Sequence, residues 1–200
     1  MQRHLLIAGA AAAAALSVAA CNKTPTETKG AATPAEQAAT PDANPAATVP
    51  TPSNEAKAPD FVSKAAASDM FEVQAAKVAQ GRSSNPEVKR FAAMMVTDHT
   101  KSTQGLKKAI ADSGQAVTPP ATLPDDLQRK LDDLNKADAK DFDKTYMDNQ
   151  VDAHQAALDL MQRYAQDGDV PQIKAFAAST APVVQKHLDM ARTLRDAVKK

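Results

Sequence analysis

The chain has 200 residues, in which 24 lysines and arginines balance 24 aspartates and glutamates, and it holds a single cysteine. A formal net charge of zero supplies no basic surface for phosphates, so nucleic acid is not expected as a partner. One cysteine excludes an intramolecular disulfide framework and any cysteine-rich zinc or iron–sulfur site.

The first twenty residues are typical of a secretory signal peptide. A basic start is followed by an apolar run from Leu5 to Val18, which is shorter than the roughly 20 residues that a membrane-spanning helix needs. Three small residues, at 18–20, then precede Cys21. We therefore interpret residues 1–20 as a signal peptide that is removed before Cys21.

The residues around the cysteine, Val-Ala-Ala-Cys at 18–21, resemble the lipobox of bacterial lipoproteins. The resemblance implies diacylglycerol on the sulfur of Cys21 and an acyl chain on its amino group, which would hold the protein on a membrane. Inner-membrane lipoproteins typically carry Asp after the cysteine, whereas this chain has Asn22. The resemblance therefore implies the outer membrane, facing the periplasm, with envelope proteins as candidate partners. The alternative is an ordinary secretory signal with an unrelated cysteine.

The segment 22–59 has the composition of a disordered tether. Of its 38 residues, 24 are Ala, Pro or Thr, and Val49 is its only larger aliphatic residue. Such a segment cannot bury enough apolar surface to offset the entropy lost on ordering. We therefore expect residues 21–59 to join the lipidated cysteine to a folded domain at residues 60–200.

Residues 60–200 show helical periodicity and no alternating strand pattern. Asp60 and Asn85 suit N-cap positions, and Gly81 and Gly114 suit the left-handed position that ends a helix. A longer crossover between the second and third long helices predicts an all-α, antiparallel four-helix bundle with a short extra helix in that crossover. The long helices are expected at 60–80, 86–113, 138–166 and 171–200, and the short one around 127–134.

The three histidines that follow the signal peptide lie on apolar faces of three different predicted helices. His99, His154 and His187 fall within about three residues of their helix midpoints, as does Glu72 on the first helix, so one layer of the bundle can hold all four. An inward histidine without a hydrogen-bond partner costs about 1–3 kcal/mol. The histidines of this layer therefore need hydrogen-bond partners or a bound ion.

Several interpretations of this layer remain open. Three neutral imidazoles and one carboxylate suit a single Zn(II), Fe(II), Cu(II) or Mn(II) ion, and nitrogen ligands favour the first three. Alternatively, a buried network that includes Glu72 and Tyr146 fixes the helix register, or water fills a polar pocket, or some histidines face solvent. Asp98 and Tyr146 are the candidate supporting residues. The corresponding functions are binding of a metal ion or small ligand, and a structural or interaction module of the cell envelope.

The domain resembles the bacterial family known as domain of unknown function 4142, whose ferritin-like helical domains are common in secreted and lipid-anchored proteins. The resemblance covers nearly all of residues 60–198 and implies a ferritin-like bundle, without an established activity. It rests on the following residues: Phe61 and Glu72 in the first helix; Val88, Phe91, Met95, Asp98 and His99 in the second; Phe142, Tyr146 and His154 in the third; Phe176, Ala177, His187 and Leu188 in the last.

The chain departs from the ferritin-like di-iron enzymes, which use Glu-x-x-His on two helices. The residues three positions before the histidines are all valines, namely Val96, Val151 and Val184. The carboxylates that bridge a di-iron centre are therefore missing. This departure argues against ferroxidase and oxygenase chemistry and leaves no reaction assigned.

Overall fold

Residues 54–199, the part of the chain that the computed structural model describes, form helices and no strands. The predicted signal peptide, Cys21, Asn22 and most of the predicted tether lie outside these residues. No helix within 54–199 is both long enough and apolar enough to cross a membrane. The elements are a 3₁₀ helix at Asn54–Ala56, α1 at Ala58–Arg82, α2 at Pro86–Ser113, α3 at Asp125–Lys136, α4 at Phe142–Asp167 and α5 at Pro171–Val198.

The four long helices pack in a closed ring. α1 lies against α2, α2 against α5, α5 against α4, and α4 against α1, while the short α3 covers parts of α1 and α4. α1 and α2 are joined by residues 83–85, and α4 and α5 by residues 168–170. The short helix α3 includes the residues, around 127–134, at which the sequence predicts a short helix.

The apolar side chains form two clusters that lie towards opposite ends of these helices. The first cluster contains Phe71, Phe91 and Phe142, and α3 adds Leu131 and Leu134 to it. The second cluster contains the following residues: Phe61, Leu106, Tyr164 and Ile173. On α1 and α2, the buried polar residues fall between the two clusters, so both clusters border one polar layer.

The helix ends follow local sequence at some positions and distant contacts at others. The Asn85 side chain accepts hydrogen bonds from the N–H groups of Glu87 and Val88, which confirms the predicted N-cap of α2. Gly114 ends α2 with a φ of 66°, in the left-handed region as predicted. Gly81, by contrast, lies inside α1, which continues to Arg82.

The start of α1 differs from the prediction because a distant carboxylate stabilises it. Asp60 lies in the first turn and does not cap the helix. The N–H of Ala58 instead donates to Oδ1 of Asp169, at 3.0 Å, from the connection between α4 and α5. The helix therefore begins two residues earlier than the local signal indicates.

Residues 54–59, which we expected to belong to the tether, are part of the folded structure. Glu55 forms ion pairs with Lys64 of α1, at 2.7 Å, and with Arg163 of α4. Ala58 is buried. The hydrogen bond from Lys64, together with the positive charges of Lys64 and Arg163, lowers the pKa of Glu55 although partial burial opposes this shift. The carboxylate thus joins the first ordered turn to two helices.

We predict that Glu55→Gln lowers the free energy of unfolding by about 0.5–1 kcal/mol at neutral pH, because it removes both ion pairs. The folded-state pKa lies below the ordinary value of 4.5, so the contribution is fully present above pH 4.5 and is lost as the pH falls through the folded-state pKa. Urea unfolding at several pH values measures the difference. Asp112→Asn, which breaks an exposed pair with Lys108 on α2, is the matched control and should change little. A deficit of Glu55→Gln that persisted unchanged in strong acid would contradict the ion-pair explanation.

Candidate metal centre

Three buried imidazoles converge in the polar layer. His99 of α2, His154 of α4 and His187 of α5 are each at most 5% exposed. One ring nitrogen from each lies within 4.8 Å of the other two. The ring centroids are 5.4, 5.4 and 5.6 Å apart, so the three rings form a nearly equilateral triangle. We call this arrangement the histidine triangle.

Each imidazole has one nitrogen bound to a protein oxygen outside the histidine triangle. Nδ1 of His99 lies 2.8 Å from Oδ1 of Asp69. Nδ1 of His154 lies 2.8 Å from the carbonyl oxygen of Gln150. Nε2 of His187 lies 3.0 Å from Oδ2 of Asp98. Because carboxylate and carbonyl oxygens accept hydrogen bonds, the histidine nitrogens donate in all three contacts.

The remaining ring nitrogens, which we call the inner nitrogens, carry lone pairs when the histidines are neutral and donate from their outer nitrogens. Nε2 of His99 lies 3.4 Å from Nε2 of His154. Nδ1 of His187 is buried and has no hydrogen-bond partner within the described part of the chain. A bound cation would give these lone pairs a partner.

The distance between the two Nε2 atoms fits metal coordination better than a direct hydrogen bond. Two nitrogens that bind a tetrahedral ion at about 2.0–2.1 Å are separated by about 3.4 Å. That value matches the distance of 3.4 Å between His99 and His154. A typical hydrogen bond from N–H to an acceptor is shorter, at about 2.9–3.0 Å.

Burial keeps two of the three imidazoles neutral. Burial, followed by the nearby charge of His99, lowers the pKa of His154 to about 3. Burial, followed by the charges of His154 and His99, lowers the pKa of His187 to about 4. Burial also opposes protonation of His99, but the hydrogen bond to Asp69 and the charges of Glu72, Asp69 and Asp98 outweigh it and raise its pKa. The surroundings therefore disfavour a positive charge on His154 and His187 and favour one on His99.

The predicted ligand Glu72 is in the layer but outside the triangle. Its side chain is buried, and its Oε2 accepts a hydrogen bond of 2.6 Å from Nε2 of Gln150. Its Oε1 lies 3.9 Å from Nδ1 of His154, which is the nitrogen that points away from the triangle. Burial raises the pKa of Glu72, although the positive charge of His99 opposes this shift.

The two predicted supporting residues occupy different surroundings. Asp98 accepts the hydrogen bond from His187. Tyr146 packs edge-on against Phe91 and stacks on Phe142. Its hydroxyl is buried without a partner among residues 54–199, and burial followed by the charge of Glu72 raises its pKa. Tyr146 is therefore coupled to Glu72 electrostatically.

Sequence reasoning missed Asp69, Gln150 and Thr103. Asp69 lies three residues before Glu72, so the two acids share one face of α1, which is the available signal. Gln150 lies one turn before His154. Its backbone carbonyl accepts a hydrogen bond from His154, and its side-chain amide donates one to Glu72. The hydroxyl of Thr103 lies 3.2 Å from Oδ2 of Asp69 and 3.0 Å from the carbonyl oxygen of His99, and its one proton is shared between these two acceptors.

The chain is thus a helical protein that has a candidate metal centre, formed by three buried histidines, in its core. The chain belongs to the family described as domain of unknown function (DUF4142), whose sequence profile matches residues 42–194. No curated protein and no solved structure shows significant similarity to the chain.

We predict that Gln150→Leu destabilises the protein by about 1–3 kcal/mol, because it removes the hydrogen bond to the buried carboxylate of Glu72. The double variant Glu72→Leu with Gln150→Leu should recover most of this loss, since an apolar pair leaves no buried polar group unpaired. Chemical unfolding of the three proteins measures the coupling. Gln162→Leu, at an exposed position of α4, is the control and should change stability by no more than about 0.5 kcal/mol. Purely additive effects would contradict the coupling.

Proposed function

We propose that this protein is a membrane-anchored, periplasm-facing helical-bundle protein that binds one transition-metal ion through His99, His154 and His187. The observation that carries the proposal is the convergence of three buried rings: one nitrogen of each lies within 4.8 Å of the other two, while a protein oxygen accepts a hydrogen bond from one nitrogen of every ring. Metal-binding histidines characteristically have this support from carboxylates or carbonyls, which fixes the tautomer and the ring orientation.

We further propose that the four long helices form an antiparallel bundle of the ferritin-like type. The closed ring of packing and the short connections within each hairpin support this architecture. The composition of the two apolar clusters supports it as well. The first half of α1 shares a cluster with the second half of α2, as expected for helices that run in opposite directions.

The chemistry of the ligands favours certain metals. Three imidazoles without a coordinating carboxylate suit Zn(II), Cu(II) or Fe(II) better than the harder Mn(II). The valines three positions before the histidines supply no bridging carboxylate, so the centre holds one ion and not two. The carboxylates of Asp69 and Asp98 sit behind two of the ligands and supply negative charge close to the ion.

A proton is the natural competitor of the metal ion in this site. His99 is the ring on which a proton is most stable, and its inner nitrogen faces that of His154. The competing function, a structural module whose histidine and glutamate layer only specifies the fold, corresponds to this protonated network. The same contacts to Asp69 and Gln150 would serve both, so metal loading separates them.

We predict that the purified, metal-stripped chain takes up one equivalent of Zn(II) or Cu(II), measured by elemental analysis after dialysis. Free ion at 100 times its Kd should stabilise the fold by about 2.7 kcal/mol, which calorimetry detects as a higher Tm. His154→Gln should abolish this stabilisation, and Asp98→Ala should weaken binding about 10–100-fold.

The matched control is Asp152→Ala, which removes an exposed carboxylate from α4 and should leave uptake unchanged. Loss of the Tm shift in His154→Gln with its retention in Asp152→Ala supports the metal site. Uptake well below one equivalent with every metal tested, or an equal Tm shift in all variants, would favour the structural module.

The membrane anchor is a separate proposal that rests on the sequence around Cys21. Mass spectrometry of the mature N-terminal peptide should find Cys21 as the first residue, carrying diacylglycerol and an amide-linked acyl chain. Cys21→Ser should lose both and leave the membrane fraction. Asn22→Asp should move the protein from the outer-membrane to the inner-membrane fraction. An unmodified N-terminus at another residue would contradict the anchor without affecting the metal site.

A further inference from the structure

The histidine triangle has two different sides. On one side, towards the first cluster, lie the buried polar side chains of Glu72, Gln150 and Tyr146. On the other side, towards the second cluster, a cavity of about 30 Å³ adjoins His99 and His187. Ala65, Leu160 and Met161 of the second cluster form part of its wall. The cavity therefore adjoins two of the three proposed ligands.

The size of this cavity restricts what it can hold. A water molecule needs at least about 10–15 Å³ of such volume, so a cavity of about 30 Å³ accommodates one or two water-sized molecules. Val183, which lies in its wall, is 41% exposed, and the side chain of Asp98 is 36% exposed. The partial exposure of these two residues places one wall of the cavity at the protein surface.

A polar group without a partner borders this cavity. Ser102 is one of its lining residues, and Oγ of Ser102 is buried without a hydrogen bond to any group in residues 54–199. A buried polar atom beside a cavity is a suitable partner for a small hydrogen-bonding molecule, because leaving it unpaired costs free energy.

The charges around the proposed ion favour a neutral molecule as a further ligand. A divalent ion with three neutral imidazoles carries two positive charges, and Asp69 and Asp98, each bound to one ligand, supply two negative charges. An anion at the ion would leave an excess of negative charge in a buried layer, which is costly. A neutral molecule adds no negative charge to the carboxylates of Asp69, Asp98 and Glu72.

We propose that the ion in the histidine triangle takes as its fourth ligand one exchangeable neutral molecule of at most about two non-hydrogen atoms, water in the resting protein, which arrives through this cavity. This inference rests on the proposed metal site. Three protein ligands and one exchangeable molecule are the pattern of reactive metal centres, whereas structural zinc sites are closed by four protein ligands. The hydroxyl of Ser102 hydrogen-bonds the exchangeable molecule.

The test uses the full chain loaded with one equivalent of Cu(II), which nitrogen ligands bind tightly. We expect the electron paramagnetic resonance lines of the copper to broaden in ¹⁷O-enriched water, and the ion to enhance the relaxation rate of water protons. Imidazole, a neutral ring of five atoms, should not displace this water even in large excess. Absence of broadening in a fully loaded protein, or displacement by imidazole, would overturn the inference.

Substitutions in the wall of the cavity test the route. Ser102→Leu and Ala157→Val fill the cavity from α2 and α4 without changing a ligand, so both should retain copper and lose the broadening and the relaxation enhancement. Thr100→Leu, on an exposed position of α2 outside the cavity, is the control and should keep both signals. Full broadening in either folded cavity variant would overturn the route.

Failure of this inference can be distinguished from failure of the proposed metal site. If the wild-type chain does not take up copper, the proposed function fails, and the inference fails with it. If copper binds at one equivalent but shows no exchangeable water, the metal site stands and only the inference fails. If neither cavity variant folds, the measurements with ¹⁷O water and imidazole on the wild-type chain still decide the inference.

Discussion

The packing of three imidazoles inside a helical domain of modest size is the constraint on which the other polar contacts depend. Each ring exposes one nitrogen to the centre and must place the other against an acceptor, because an unpaired buried polar group costs about 1–3 kcal/mol. Asp69, Asp98 and the carbonyl of Gln150 meet this requirement from three different helices. Thr103 then holds Asp69 in place, and the polar layer extends outward from the rings.

The layer fixes the relative position of the helices as well as the chemistry. Apolar clusters on either side tolerate small shifts, because hydrophobic contacts have little directionality. A hydrogen bond between His99 and Asp69 does not tolerate a slide of one turn, since a turn is about 5.4 Å. The two clusters therefore supply most of the stabilising burial, and the polar layer selects one register among those that burial alone allows.

The sequence predicted the helices and the three inward histidines, because both depend on local periodicity and on helix caps such as Asn85 and Gly114. It did not predict the start of α1, which depends on Asp169 more than a hundred residues away. It selected Glu72 as a ligand and missed Asp69, although both lie on one face of α1. Three residues along the helix decide which imidazole a carboxylate approaches, His99 for Asp69 and His154 for Glu72. Periodicity defines a helix face without resolving such a step.

The contacts of Glu55 and Ala58 at the start of the folded domain have a mechanical consequence. If the chain is held to a membrane by its N-terminus, any pull on that end arrives at Glu55 and Ala58. Their partners are Arg163, near the C-terminal end of α4, and Asp169, in the connection that follows α4. A pull on the N-terminus would therefore act on α4 as well as on α1. In an anchored chain, these contacts would distribute a pull on the N-terminus over two helices and so reduce the force that reaches the histidines.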